Sequence, residues 1–506
     1  MTRLDEIRAW ADGQPWARIG LTAIVGWMPD AIKEFRARNG RMQILVFDPL
    51  EEGEPGEGYL RVTDLEAIRE AVGHRTWMWQ DVAWICPPEL QEEWAPQVQQ
   101  MLEEGEVLGR VRYQTLVKNT NNWTDIALQT LPHMAGRVPI QAFAGQGKGK
   151  PALIVGAGPS LEYAMEWLPA LQDRLIIIAA ETALPVLDRG GVQPDIVVAV
   201  ESMDTAYFGL EGLKSWDKAI LVLGAHTHQM AWDIPARAIC PALQAIGPVG
   251  TWLVERLKVP SVESGGSVAT ACYGVAHMLD CETVFGVGID SAYSYGRYYA
   301  DGVMRPGGLD ATRYSAPTST DMLPAFGGEG EVGSNEQMKV YRDWLSSRAR
   351  TYSNRWHVNL SKGGARINGW DEMLRADVRE LLEGYPVLEP LAIPDKPLDL
   401  SWAAASLREQ LSGAAHAKDC AEDAIRAFNR VAEAVGELGK LSSAPTATLI
   451  NHMQYSPLDE LAMIPSLDAI HAGLSVNQQT CRCVDKLIPW LQTAIERLEE
   501  QHVRAA

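Results

Sequence analysis

Between residues 150 and 290 the chain repeats one pattern. A short, almost uninterrupted run of Ile, Val, Leu and Ala is followed by a polar, helix-forming stretch. The runs fall at 152–155, 175–179, 196–200, 220–223 and 283–287, with a weaker one at 237–240. A strand that is apolar at every position, and not only at every second one, is buried on both faces. Such strands belong to parallel sheets covered by helices on each side. The pattern therefore predicts a Rossmann-like parallel α/β domain, and it limits where a ligand sits. Open parallel sheets bind ligands beyond the carboxyl ends of their strands, where loop amides and helix starts converge.

The 506 residues exceed what one core serves, and three textures divide them. Residues 1–148 read as a small α/β domain. Strands at 21–25 and 42–47 flank a helix at 30–38, which makes one βαβ unit. The unit is degenerate: its first turn, Gly26-Trp-Met-Pro-Asp30, lacks the glycine spacing that admits a pyrophosphate, although Asp48 stands where a ribose-binding acid would. The Gly- and Lys-rich stretch 142–150 reads as a linker. Residues 149–392 carry the repeated pattern and read as the central, ligand-binding domain. Residues 393–506 lose strand character, and helical periodicity at 401–441 and 464–503 predicts a helical C-terminal domain.

Composition removes several function classes. A net charge of −20 argues against a duplex-binding surface, so no nucleic-acid partner is expected. No apolar run reaches the ~20 residues of a membrane-spanning helix, and the first residues are too polar for a signal peptide. Cys86, Cys240, Cys272, Cys281, Cys420, Cys481 and Cys483 show neither pairing logic nor zinc spacing. A cytoplasmic protein with reduced thiols and no membrane partner is the expectation. Of the 17 tryptophans, Trp77, Trp79, Trp84, Trp94 and Trp123 cluster early and read chiefly as core filling.

The strand ends carry the chemistry. The first run ends in Gly156-Ala-Gly158-Pro159-Ser160, a tight turn into a helix, suited to close approach of a phosphate. The next two end in Glu181-Thr182 and Glu201-Ser202, and the run at 283–287 leads into Gly288-Ile-Asp290. Three carboxylates at three strand ends exceed what caps and turns need. His226 and His228 close a fourth strand without an obvious third metal ligand. Gly265-Gly266-Ser267 opens an Ala-rich helix at 267–279, a second place for an anion.

Taken in order, Leu153-Ile-Val-Gly-Ala-Gly-Pro-Ser-Leu161, Pro194-Asp195, Gly265-Gly-Ser-Val268, Gly286-Val-Gly-Ile-Asp290 and Lys362-Gly-Gly-Ala-Arg-Ile-Asn-Gly369 resemble the motility accessory factor (Maf) flagellin glycosyltransferases. Their central, MptE-like domain is similar to bacterial sialyltransferases. The resemblance covers about 150–370 well and the flanking regions more loosely. It implies transfer of a nonulosonic acid (pseudaminic, legionaminic or sialic-like) from a CMP-activated donor to Ser or Thr of flagellin. It also implies Gly156, Gly158, Pro159 and Ser160 around the donor phosphate or ribose, with Thr182, Ser202 and Gly265 lining the same nucleotide site. Gly266 and Ser267 fall at a phosphate position, and Tyr298 beside the departing phosphate. The second tyrosine of the sialyltransferase pattern falls on Ala292, one residue from Tyr293. Its cytidine-reading asparagines fall on Glu181 and Glu201, a departure. Its histidine base has no counterpart, since no histidine lies between His277 and His357. Glu201 and Asp290 join Tyr298 as the expected catalytic groups, with Glu329, Glu331, His226 and His228 as further candidates for the base. Mg2+ is compatible with the acidic strand ends, but no Asp-x-Asp motif marks a metal clamp.

Two rivals share these residues. One is an MptE-like 6-hydroxymethyl-dihydropterin diphosphokinase, for which Glu181, Glu201 and Asp290 would hold magnesium. The other is a non-catalytic flagellin-binding scaffold.

Overall fold

The computed structural model describes residues 3–15, 19–38, 43–53, 56–57, 59–75, 81–202, 205–303 and 321–409, with scattered positions from 411 to 500. The chain divides into two units, Met1–Ile126 with Arg137–Lys396, and Ala127–Gly136 with Pro397–Ala506.

The first unit opens with a small α/β layer. Its elements are α1 (Arg3–Asp12), β1 (Ile19–Val25), α2 (Pro29–Arg38), β2 (Gln43–Phe47), β3 (Leu60–Val62), α3 (Leu65–Arg75) and β4 (Asp81–Ile85). The strands form a parallel sheet in the order β3-β2-β1-β4. Alternation in β1 sends Ile24 to one face, with α1 and α2, and Leu21, Ala23 and Val25 to the other, with α3. The expected βαβ unit is there, extended by two strands that the sequence pattern did not reveal. Asp48 does not wait for a ribose. Its carboxylate is buried and accepts from Arg61 Nε at 2.8 Å and from the Gly53 and Glu52 amides, which closes its own loop. Trp84 and Trp94 pack into this layer as core filling, whereas Trp77 and Trp79 lie outside the described residues. A 47-residue helix, α4 (Pro88–Met134), follows.

The larger sheet of the same unit is built from β5 (Pro151–Val155), β6 (Ile176–Ala180), β7 (Ile196–Ala199), β8 (Ile220–Gly224), β9 (Ala238–Ala242), β10 (Thr283–Val287), β13 (Trp356–Asn359) and β14 (Asp371–Glu372). Every pairing is parallel, and the order is β14-β13-β10-β5-β6-β7-β8-β9. All five apolar runs, and the weaker sixth, are strands. Ile154, Ile178, Val198 and Val222 face α10 (Val268–Met278) and α11 (Glu336–Thr351), while Leu153, Ile177, Val197 and Leu221 are equally buried on the opposite face. Short helices α5 (Leu161–Ala164), α6 (Leu168–Leu171), α7 (Leu184–Arg189) and α8 (Thr205–Leu210), with α9 (Gly247–Leu257), fill the crossovers, and α12 (Arg375–Glu383) follows the last strand. A small antiparallel hairpin, β11 (Asp321–Pro324) with β12 (Glu331–Ser334), projects after β10.

The linker expectation is corrected. The stretch 142–150 is no slack linker: Phe143 is fully buried, and the Gly147 amide donates to the Leu279 carbonyl at 2.7 Å. The helices expected at 401–441 and 464–503 lie largely outside the described residues, which show helical backbone at 403–409 and 491–497. Among the described residues no helix is long and apolar enough to cross a membrane.

Candidate active site

Chain order runs outward from β5 through β9, then returns to place β10 on the other side of β5. The switch point therefore lies between β5 and β10, and there the two glycine-rich turns meet. The Gly156 amide donates to the Val287 carbonyl at 2.9 Å and the Gly158 amide to the Gly288 carbonyl at 2.8 Å. A Cβ on Gly156 would stand 2.3 Å from the Gly288 carbonyl oxygen, and one on Gly158 would stand 2.3 Å from Asp290 Oδ1. The bare backbone at 156 and 158 is thus required by the neighbouring strand, before any ligand is considered. Pro159 and Ser160 are buried behind this turn.

Asp290 holds the junction. It is buried, and it accepts from the Ser160 amide (3.2 Å) and hydroxyl (2.5 Å). Burial pushes its carboxyl up from the ordinary range, and the Ser160 hydroxyl opposes that push. The Lys362–Gly369 motif closes over it: the Ala365 amide donates to the Asp290 carbonyl at 2.8 Å, and a Cβ on Gly364 would stand 2.6 Å from Asp290 Cα. Ser160 thus engages both oxygens of Asp290.

The tyrosine segment is latched to the same place. The Ala300 amide donates to the Ala157 carbonyl at 2.9 Å. Glu162 receives Arg297 in a two-point ion pair (2.7 and 3.1 Å) and the Asp301 amide at 2.6 Å. Between these anchors Tyr298 lies half-buried, its ring 5.8 Å from Tyr293 and 4.5 Å from Tyr299.

Two carboxylates stand further along the same sheet edge. Glu181 follows β6 and is buried; burial pushes its carboxyl up to about 8, and the charge of Glu201 adds to the push. Its Oε2 has no hydrogen-bond partner among the described residues. Thr182, beside it, is half-buried. Glu201 follows β7, half-buried, and accepts from the Ser202 amide at 2.9 Å. The N-terminus of α10 completes this side. Ser267 caps the helix, accepting from the Thr270 amide at 3.2 Å, and the Gly265 and Ser267 amides donate to Thr270 Oγ1. Gly266, at φ +98°, lies against Tyr341, and Gly265 lies against Trp344. Part of the anion-binding potential expected at 265–267 is therefore spent on the cap.

Other candidates are located as follows. His226 is buried beside Trp123 (ring centroids 5.1 Å), and burial drives it down to about 4. The His228 amide donates to the Glu201 carbonyl at 3.3 Å. Glu329 and Glu331 are exposed on the hairpin. Asp195 lies at the opposite edge of the sheet, where it accepts from the Ile177 amide at 2.9 Å and ties β6 to β7. Among the described residues no group of three His, Cys, Asp or Glu side chains is placed to hold a metal ion. Sequence reasoning missed Asn122 and Trp123. Asn122 Nδ2 on α4 donates to Ser202 Oγ at 3.2 Å, so the long helix reaches the Glu201 loop. No strand periodicity signals this, because the contact comes from an element read as part of a separate domain.

Comparison with known proteins falls on the same segment. Residues 126–296, about a third of the chain, match the family described as 6-hydroxymethylpterin diphosphokinase MptE-like. An uncharacterized protein of Treponema pallidum (strain Nichols) is 39% identical over 56 residues, 11% of this chain and 27% of the relative, so the chain spans about a quarter of that relative's length. A solved structure of a Maf glycosyltransferase from Magnetospirillum magneticum AMB-1 aligns at 17% identity and a TM-score of 0.49. The alignment covers 99% of this chain and 86% of the other. A likeness of that order carries no argument about function.

Proposed function

We propose that this protein is a glycosyltransferase that moves a nonulosonic acid from its CMP-activated donor to Ser or Thr of flagellin. The observation that carries the reading is the meeting of two distant motifs. Gly156-x-Gly158-Pro-Ser160 and Lys362-Gly-Gly-Ala365 are packed on one another through Asp290 at the topological switch point. These are the motifs on which the resemblance to Maf proteins rests.

Glu181 supplies a physical reason for one departure from the sialyltransferase pattern. A carboxyl held neutral presents one O–H donor and one carbonyl acceptor, the same pair that an asparagine amide presents. With its carboxyl pushed up to about 8, Glu181 offers a cytosine edge what the asparagine would. In this reading Glu201 takes the acceptor hydroxyl proton, and Tyr298 donates to the departing phosphate. Asp290 keeps the glycine turn in place. The strand-end acids fit a magnesium ion poorly, since both Asp290 oxygens are engaged by Ser160 and, among the described residues, no group of three His, Cys, Asp or Glu side chains is placed to hold one.

A second reading has the family match behind it: an ATP-dependent diphosphokinase acting on a pterin. Thermal shifts with CMP, UDP, GDP and ATP, each with Mg2+ or EDTA, separate the two, because a ligand that binds the folded state raises the melting temperature, and by more the larger its concentration is relative to Kd. The expected outcome is stabilisation by CMP that survives EDTA. Stabilisation by ATP alone, and only with Mg2+, would transfer the assignment to the diphosphokinase. No shift with any nucleotide would leave a scaffold.

The raised Glu181 carboxyl makes a pH prediction. The folded state retains a proton that the unfolded chain, with a carboxyl near 4.5, releases. Stability therefore falls as pH rises from about 4.5 to about 8. Glu181→Gln should be more stable than the parent at pH 8, with the gap closing towards pH 5 in urea titrations. A constant gap across that range would show that Glu181 ionises freely in the folded protein.

A further inference from the structure

A bound nucleotide brings at least one phosphate charge to a protein of net charge −20, at an edge where Glu162, Glu181, Glu201 and Asp290 already gather. A cation at this edge would offset that charge. Arg297 is committed to Glu162 through two contacts, and Arg189 donates to the Asp301 carbonyl. Lys362 is different. Among the described residues no carboxylate pairs with it, and its ammonium lies 5.0 Å over the ring of Tyr163. Tyr163 follows the glycine turn directly, its amide donating to the Ser160 carbonyl at 3.2 Å.

The next two residues explain how a lysine comes so close to this turn. Gly364 lies on the Asp290 backbone, at φ +95°, with no room for a side chain. The Ser294 hydroxyl is 3.6 Å from where a Cβ of Gly363 would stand. The loop can therefore lie flat on the switch point while its leading lysine rests on the aromatic face, a favourable seat for a cation. We infer that Lys362 is the residue that binds the phosphate of the nucleotide, with Tyr163 as its support and Gly363-Gly364 as the device that lets it lie against the glycine turn. The inference rests on the proposed nucleotide site but names a group that neither the resemblance nor the family match assigns.

The test compares CMP with cytidine, by calorimetry on the full-length chain, at low and moderate salt. Parent protein should prefer CMP, and the preference should weaken with salt. Lys362→Ala, and Lys362→Met, which keeps an apolar stem over Tyr163, should lose roughly ten- to a hundredfold of that preference and flatten its salt dependence. Cytidine affinity and melting temperature should be unchanged, and Lys362→Arg should recover part of the loss. An unchanged CMP-to-cytidine ratio in both variants would overturn the inference and leave the nucleotide site standing. If the parent binds ATP in place of CMP, the donor assignment falls and the lysine is tested in the same way with ATP against adenosine. Failure of all nucleotides to bind would remove both.

Discussion

Glu201→Gln should lower the transfer rate by about 10²–10⁴ while leaving the melting temperature within a degree or two of the parent. The expectation follows from where the carboxylate stands. Asp290 is buried and engaged by Ser160, His226 is held neutral in a buried pocket beside Trp123, and Glu329 and Glu331 are exposed on the hairpin. Glu201 combines a strand-end position with partial exposure and an amide on only one described oxygen; His228, the other half-buried candidate, lies on the same loop, its amide donating to the Glu201 carbonyl. Glutamine keeps its shape and the Ser202 contact but cannot take a proton, so the loss should fall on kcat and not on CMP affinity. The measurement is a single-turnover assay with CMP-sugar donor and flagellin, alongside CMP titration. If turnover persists within threefold of the parent, the base lies elsewhere. If CMP affinity collapses together with turnover, Glu201 reads the nucleotide and does not move a proton.

Gly158→Ala has a different expected signature, because it strikes the fold and the site together. The new methyl would stand 2.3 Å from Asp290 Oδ1 and 2.8 Å from the Gly288 carbonyl. Real carbon atoms do not approach that closely, so the turn or the strand end must move. Inserting one carbon into a filled core typically costs about 1–3 kcal/mol. Here the displaced groups are a backbone carbonyl and a buried carboxyl, so the upper end of that range applies. Asp290→Asn should be milder, since it keeps the shape: its amide oxygen can accept from the Ser160 amide while its NH2 donates to the Ser160 hydroxyl. Urea unfolding of the two variants measures the difference. If Gly158→Ala unfolds like the parent yet no longer binds nucleotide, the glycine serves ligand approach and not strand packing.

That second case also shows what a linear reading conveys and what it omits. The runs ending at Val155, Ala179, Val200, Leu223 and Val287 were legible, each within a residue of its strand's end, because burial on both faces imposes uninterrupted aliphatics. Gly156 and Gly158 were legible as a tight turn, but their reason was not: the atoms that forbid a side chain belong to Gly288 and Asp290, about 130 positions away. The order in which strands join the sheet is likewise unwritten in any one strand, so the switch point between β5 and β10 emerges only from their pairing. Trp356–Asn359 escaped notice as a strand because it is short and carries Trp, His and Asn among its four residues. The helix Pro88–Met134 escaped for the opposite reason. Its long, mixed-polarity surface has no single apolar stripe to announce it, and Gly105 and Gly109 interrupt the helical propensity.

That helix has a consequence for insertions. One continuous rod begins beside the small sheet, at Pro88, and by Asn122 and Trp123 it is touching Ser202 and His226 next to the carboxylate that is proposed to move a proton. An insertion of a single residue upstream would rotate everything beyond it by about 100°, turning both side chains off their partners. The spacing between Pro88 and Asn122 is therefore as much a requirement of these contacts as the two side chains themselves.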